Sequence, residues 1–110
     1  MVTLLQKMTE ERAARDERLR LEVRERLRAA LREILPEKTP VILFGSLTKP
    51  GQFTEASDVD MALAAELPGM SVYQLTAQLS ECLGRRVDVM LLSECRFRDK
   101  ILAEGETWTP

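Results

Sequence analysis

Residues 41–63, VILFGSLTKPGQFTEASDVDMAL, contain the pattern that decides the fold. Two apolar runs are separated by a polar loop, and each run is short enough to be a buried strand. Gly45 and Ser46 stand where the first run meets the loop, and Asp58 and Asp60 stand where the loop meets the second run. Residues two apart on a strand point to the same face. The two aspartates are therefore predicted to project together from one end of a strand.

Two helices are predicted on either side of this segment. A long charged helix is expected over residues 9–35, with Thr9 as its cap, because helix-forming residues fill the stretch and a proline follows it. A second helix is expected to open with a capping box of Ser71 and Gln74 and to run to about residue 83. Its apolar residues recur at helical spacing, which predicts that it packs on a sheet.

The strands and helices together predict the fold class. Strands are expected at residues 40–44, 59–65 and 85–92, a last helix at residues 93–105, and a tail at residues 106–110. This order describes an α/β (α+β) protein with a small mixed sheet and helices packed on it. A chain of 110 residues is expected to form one single domain.

The connections predict where the strand ends meet. If the second strand runs away from the loop, the following helix returns the chain, and the third strand starts at the same end through a right-handed crossover. Asp88, near the start of the third strand, is then expected to lie beside Asp60. The first strand must run antiparallel to the second, which brings Gly45 and Ser46 to the same place.

Three neighbouring carboxylates predict a cation site. Asp88 lies inside an apolar run, where an unpaired carboxylate is costly, although pairing with Arg85 or Arg86 is an alternative explanation. The chain contains no histidine, so metal ligands and general bases must come from other residue types. Carboxylate oxygens favour magnesium, which also takes phosphate oxygens and waters as ligands.

The loop after the first strand has the residues of a phosphate site. Gly45 allows the backbone to approach a phosphate group, and the Ser46 hydroxyl can donate a hydrogen bond to it. Lys49 adds a point charge within the same loop. The predicted ligand is therefore a nucleoside triphosphate bound with magnesium.

These motifs together resemble those of the polymerase-beta-like nucleotidyltransferases. That family has a strand ending in Gly-Ser, then a loop, Asp-x-Asp on a second strand and a single Asp on a third. The short chain and the residues "ILFGS…SDVDMAL" resemble its minimal nucleotidyltransferase (MNT) group, over roughly residues 20–105. The loop "GSLTKPG" departs from the usual Gly-Ser-x-Ala-Arg-Gly, with lysine in place of the forked arginine.

The resemblance implies an activity and the residues that carry it. Members transfer a nucleoside monophosphate, usually AMP from ATP, with magnesium. Asp58 and Asp60 match the two metal-binding aspartates, and Asp88 matches the third, which also helps to activate the acceptor hydroxyl. Gly45 and Ser46 match the pair that holds the triphosphate.

The resemblance also implies a partner protein. Minimal members are often encoded with a helical HEPN-type toxin, and in characterised pairs the MNT antitoxin adenylylates a tyrosine of that toxin. Two other functions stay open: an antitoxin or subunit that acts by binding and occlusion, and a small-molecule transferase whose acceptor pocket is formed by a homo-oligomer.

Composition and charge set limits on other functions. The net charge is −2, which does not favour direct binding of nucleic acid. No apolar run has the length of roughly 20 residues that spans a bilayer. The N-terminal residues lack the apolar core of a signal peptide, so a cytoplasmic location is expected.

Overall fold

The protein is described here by a computed structural model that covers residues 1–110. It contains three helices, four strands and two short 3₁₀ turns, one of which we call the GSLT turn (Gly45–Thr48). In chain order the helices and strands are α1 (Leu4–Ile34), β1 (Val41–Phe44), β2 (Val59–Leu63), α2 (Val72–Leu83), β3 (Val87–Leu91), α3 (Arg98–Glu104) and β4 (Glu106–Trp108).

The four strands form one mixed sheet in the order β3-β2-β1-β4. β1 pairs antiparallel with β2, and β2 pairs parallel with β3. The helix α2 forms the crossover between the two parallel strands, and Ser71 and Gln74 form the predicted capping box at its start. The mixed α/β fold and its strand directions are thus confirmed.

The start of the first helix was predicted wrongly. α1 begins at Leu4, five residues before the predicted start at residue 9, because Thr3 and Gln6 form a capping box there. Thr9 lies inside the helix, where its hydroxyl donates to the carbonyl of Leu5 at 3.0 Å. No helix of the chain combines the length and apolar character needed to cross a membrane.

The C-terminal segment also differs from the prediction. Residues 106–110 were expected to be a tail, but Glu106–Trp108 forms β4, which pairs antiparallel with β1 at the sheet edge. Trp108 is buried there, opposite Val41. The preceding helix is shorter than predicted: α3 begins at Arg98, after a 3₁₀ turn and a short loop that follow β3. It ends at Glu104 because β4 starts almost immediately.

Different helices pack on the two faces of the sheet. One face packs against α1 and α2 and forms the main core, to which alternate residues of β1, β2 and β3 contribute. A smaller apolar cluster, which includes Ile42, Ala62 and Ile101 of α3, lies on the other face. Because strand residues alternate between faces, Asp60 and Asp88 are on the same face as this smaller cluster.

Candidate active site at the strand ends

The two strand aspartates lie directly side by side. Asp60 and Asp88 are register partners across the parallel pair of β2 and β3. Neighbouring strands are about 4.8 Å apart, so the two carboxylates share one small region of the sheet surface. The predicted juxtaposition of Asp60 and Asp88 is therefore present. Each side chain is half-buried and reachable from solvent.

Gly45 lies against Asp60. Its strand neighbour Phe44 is the register partner of Asp60 across β1 and β2, so the GSLT turn starts next to that carboxylate. Gly45 has a φ of 77°, a conformation that L side chains rarely adopt. A Cβ atom placed on Gly45 would lie 2.6 Å from Oδ2 of Asp60. Glycine is therefore the residue type that lets the turn approach the carboxylate this closely.

Asp58 reaches the same region from the loop that precedes β2. Its Oδ2 lies 3.9 Å from Nε of Arg86, and the same nitrogen lies 3.3 Å from Oδ1 of Asp88. Arg86 stands immediately before β3, and its carbonyl accepts a hydrogen bond of 3.0 Å from the amide of Val59. One exposed guanidinium therefore lies beside both carboxylates, and the alternative pairing of Asp88 with Arg86 is also present.

The electrostatics of Asp60 follow from this crowding. Burial raises the pKa of its carboxyl above the ordinary value, and the charges of Asp88 and Asp58 raise it further. Arg86 lowers the pKa of Asp60 but does not offset the other causes. Negative charge concentrated in this way favours a bound cation.

The residues present suit a hard divalent cation, although they do not form a closed cage. No three histidine, cysteine, aspartate or glutamate side chains are grouped closely enough to enclose a metal. Asp58 and Asp88 both lie beside Nε of Arg86. Magnesium needs few protein ligands because it keeps several waters and takes phosphate oxygens. Oxygen donors on one exposed face fit that requirement.

Ser46 and Lys49 occupy different parts of the loop. Ser46 is half-buried in the GSLT turn, whose start has no side-chain cap. Lys49 is exposed just after the turn and makes no salt bridge with the aspartates. It lines a cavity of about 290 Å³ that is bounded by the turn, by Phe44 and Met90 of the sheet, and by α3. The structure thus brings Gly45 and the aspartates together, while Lys49 faces the neighbouring cavity.

Arg85, the other arginine considered as a partner of Asp88, instead contacts the loop before β2. Its Nη1 donates to the carbonyl of Ser57 at 2.9 Å, and its guanidinium lies 4.8 Å from the centre of the Phe53 ring. Phe53 is buried, so the loop is anchored at that point. These contacts fix the residues immediately before Asp58. The Arg-Arg pair before β3 was the available signal, but the sequence does not show which arginine faces which group.

A family comparison covers the whole sheet. The profile of the family described as Polymerase beta, Nucleotidyltransferase matches residues 25–108, which include all four strands and the aspartates. The chain belongs to the polymerase-beta nucleotidyltransferase family. This membership agrees with the Gly-Ser and Asp-x-Asp motifs. No match is found among functionally curated protein sequences.

Solved structures of this fold include toxin–antitoxin complexes. A crystal structure of a toxin–antitoxin with AMP-PNP has a TM-score of 0.59 at 24% identity and covers 78% of this chain and 73% of that one. A mutant of the toxin–antitoxin pair MntA–HepT has a TM-score of 0.57 at 25% identity, with coverage of 79% and 72%. A further MntA–HepT structure has a TM-score of 0.56 at 21% identity, with coverage of 82% and 73%. The 25% identical structure supports the resemblance to the minimal nucleotidyltransferase group, and the other two show that the fold is shared.

Proposed function

We propose that the protein is a magnesium-dependent nucleotidyltransferase that transfers AMP from ATP to a hydroxyl group, most simply a tyrosine, of a partner protein. The observation that carries this proposal is the pairing of Asp60 with Asp88 across parallel strands, with Gly45 directly against Asp60. A sheet surface needs no such arrangement for its stability, because neighbouring carboxylates repel each other. Membership of the nucleotidyltransferase family supports the same chemistry.

The three aspartates have separable roles in this proposal. Asp58 and Asp60 would hold magnesium, which when bound would supply positive charge to the phosphate oxygens during displacement. Asp88 would be a third oxygen ligand, and its carboxylate accepts the proton of the attacking hydroxyl. Its carboxylate lies at the solvent-facing edge strand of the sheet, where an acceptor from another protein has access. The hydroxyl oxygen forms a bond to the α-phosphorus, and the bond from that phosphorus to the pyrophosphate breaks.

The GSLT turn and its cavity are proposed to hold the nucleotide. Gly45 and Ser46 face the β- and γ-phosphates through backbone amides and the serine hydroxyl, and Lys49 supplies positive charge. The cavity beside the turn provides apolar surface from Phe44 and Met90 at the position where a nucleoside joined to these phosphates would extend. Its volume of about 290 Å³ accommodates a ring system.

The proposed partner is a HEPN-type helical toxin, with this chain as its antitoxin. Toxin–antitoxin complexes among the structural neighbours support this choice, and one of them contains AMP-PNP. In this proposal residues 1–110 act as one nucleotidyltransferase domain in the cytoplasm. In this proposal the partner brings the acceptor hydroxyl.

Label transfer tests the proposed activity. The wild-type protein is incubated with α-labelled ATP, magnesium and the protein encoded beside it, next to a double variant, Asp58→Asn with Asp60→Asn. We expect label on the neighbour with wild type and a loss of at least about a hundredfold with the variant. A matched control is Asp99→Asn, which changes an exposed aspartate on α3.

A second function is favoured by the position of Arg86. Because this guanidinium pairs with Asp58 and Asp88, the carboxylates can serve a structural role, and the same fold can act as an antitoxin that binds and occludes its partner. In that case wild type and the double variant would inhibit the neighbour's activity equally, and neither would transfer label. This outcome would contradict the proposed transferase activity.

A further inference from the structure

Arg20 is the one charged or polar residue that the fold buries. It lies in α1 with 8% of its surface exposed, while every other buried residue is apolar. Burying a charge is costly unless the charge is paired and hydrogen-bonded. The contacts of Arg20 therefore indicate what this burial is used for.

Those contacts run from α1 to the loop that contains the GSLT turn. Nη1 of Arg20 donates to the carbonyl of Leu47 at 3.0 Å, and Nη1 of Arg24 lies 3.4 Å from the same oxygen. Nε of Arg20 donates to Oε1 of Glu17 at 2.7 Å. Oε2 of Glu17 accepts a hydrogen bond of 3.3 Å from the amide of Gly51. One buried arginine thus contacts the loop at Leu47 directly and at Gly51 through Glu17.

The bonded carbonyl lies at the C-terminal end of the GSLT turn. Carbonyls at that end of a helical turn have no partner within the turn and carry partial negative charge. Two arginines from α1 satisfy the Leu47 carbonyl, and the Leu47 side chain is fully buried in the core. The opposite end of the turn, at Gly45, is the end that meets Asp60. Fixing one end in this way fixes the position of the other.

A purely structural need does not require an arginine here. Replacing buried ion pairs by apolar residues of similar volume is often neutral or stabilising. Glu17 is one-third exposed and is solvated when its partner is absent. Its pKa is lowered, first by the hydrogen bond from Arg20.

We propose that Arg20 is a positioning residue for the nucleotide: from α1 it holds the Leu47 carbonyl directly and the Gly51 amide through Glu17, and so fixes the GSLT turn beside Asp60. This inference rests on the proposed function, because it assumes that the turn binds the triphosphate. Arg20 itself lies behind the turn and touches no reacting group.

The test compares Arg20→Met and Arg20→Lys in the full chain. We expect Arg20→Met to raise KM for ATP about tenfold with a much smaller change in kcat, because a displaced turn binds the phosphates less well. Amide hydrogen exchange is expected to accelerate in peptides that cover residues 45–51. Arg20→Lys keeps one donor without the fork, so partial rescue of KM is expected.

A matched control and a second variant separate loss of the contact to the turn from loss of any arginine on α1. Arg26 also donates from α1 to a backbone carbonyl, that of Cys82 at 2.8 Å, but this contact is on α2 and not on the turn. Arg26→Met should change neither KM nor exchange at residues 45–51. Glu17→Gln leaves one acceptor oxygen in place of two, so the partly exposed side chain can no longer accept from both Arg20 and the Gly51 amide. We expect a smaller rise in KM with faster exchange near residue 51.

Two results separate this inference from the proposed function. Wild-type protein that neither binds nor transfers the nucleotide would overturn the proposed function. Active wild type, with KM and exchange at residues 45–51 unchanged in both Arg20→Met and Glu17→Gln, would overturn only the positioning role. If Arg20→Met does not fold, Glu17→Gln and Arg20→Lys decide the question by the same two measurements.

Discussion

At the residue scale, Gly45 is the position where backbone conformation and chemistry meet. Its positive φ and its contact with Asp60 mean that any side chain would displace either the turn or the carboxylate. Gly45→Ala is expected to destabilise the fold by about 1–3 kcal/mol, from strain in an unfavourable conformation. Nucleotide transfer is also expected to fall, even at temperatures where the variant is still folded. Label transfer measured below the unfolding temperature tests this.

The control for this change is another glycine with the same conformation. Gly69 has a φ of 75°, and nothing lies within 4 Å of a Cβ placed on it. Gly69→Ala should therefore cost a similar strain energy without affecting transfer. Equal losses of transfer in the two variants would show that backbone strain, and not the contact with Asp60, is responsible.

Asp60 gives a prediction about pH. Its pKa is raised in the folded protein, first by burial and then by Asp88 and Asp58. The folded state therefore holds the proton to a higher pH than the unfolded state, and stability falls as pH rises from the ordinary value of 3.8 through the raised pKa. Asp60→Asn is expected to be more stable than wild type at pH 7, with a difference that shrinks as the pH approaches 3.8.

Urea unfolding at several pH values, in the presence of a chelator, measures this effect. The chelator is needed because a bound cation stabilises the wild-type carboxylate cluster and would mask its repulsion. A variant that is less stable than wild type at neutral pH would contradict the raised pKa. The same variant should have lost nucleotide transfer, so stability and activity would change in opposite directions.

Arg86 is expected to compete with a divalent cation. Its guanidinium lies beside Asp58 and Asp88 and is itself 72% exposed. Exposed ion pairs of this kind are worth at most about 1 kcal/mol. Arg86→Gln should therefore bind Mn²⁺ about two- to fivefold more tightly, measured by electron paramagnetic resonance without nucleotide. The control is Arg96→Gln, at an exposed position that forms no salt bridge. Weaker binding of Mn²⁺ to Arg86→Gln than to wild type would contradict the competition.

At the scale of the elements, the sequence was most informative where strands and connections constrain each other. The two-residue period of a strand predicted the shared face of Asp58 and Asp60, and the crossover predicted that Asp88 lies beside Asp60, as it does. β4 was missed because three residues are too few for a periodic pattern. The orientation of Arg86 was not predictable either, because an exposed side chain is placed by its neighbours in space and not by its strand.

Trp108 of β4 gives a prediction about the stability of the sheet edge. This side chain is buried against β1 and lies under two arginines of α1, with Cζ of Arg28 4.3 Å from its ring centre and Cζ of Arg24 at 5.3 Å. Trp108→Ala is expected to cost about 3 kcal/mol of unfolding free energy. Trp108→Phe keeps a ring in the same place and should cost about 1 kcal/mol.

Far-ultraviolet circular dichroism is the suitable probe for these variants, since Trp108 is the only tryptophan and its removal abolishes the fluorescence signal. Thr107→Ala, at the exposed position between the two inward residues of β4, is the matched control. A cost for Trp108→Ala no greater than that of the control would mean that β4 does not stabilise the sheet.

At the scale of the whole molecule, α1 determines the elongated shape of 57 × 28 × 20 Å. A helix of 31 residues is about 46 Å long, which exceeds the width of the sheet that it covers. Buried residues of α1 begin at Arg20, and residues 1–15 are all exposed. Since most helix stability in proteins comes from tertiary packing, the first turns of α1 contribute little to the fold.

Two truncations separate these halves of α1. Removal of residues 1–15 is expected to change the unfolding free energy by no more than about 0.5 kcal/mol, because only exposed side chains are lost. Removal of residues 1–22 also deletes Glu17 and Arg20, so KM for ATP should rise as in Arg20→Met even if the sheet stays folded. Urea unfolding and ATP kinetics on the two proteins measure both effects. If the shorter truncation alone raised KM, control of the GSLT turn would have to extend into the exposed part of α1, which the contacts of Glu17 and Arg20 do not require.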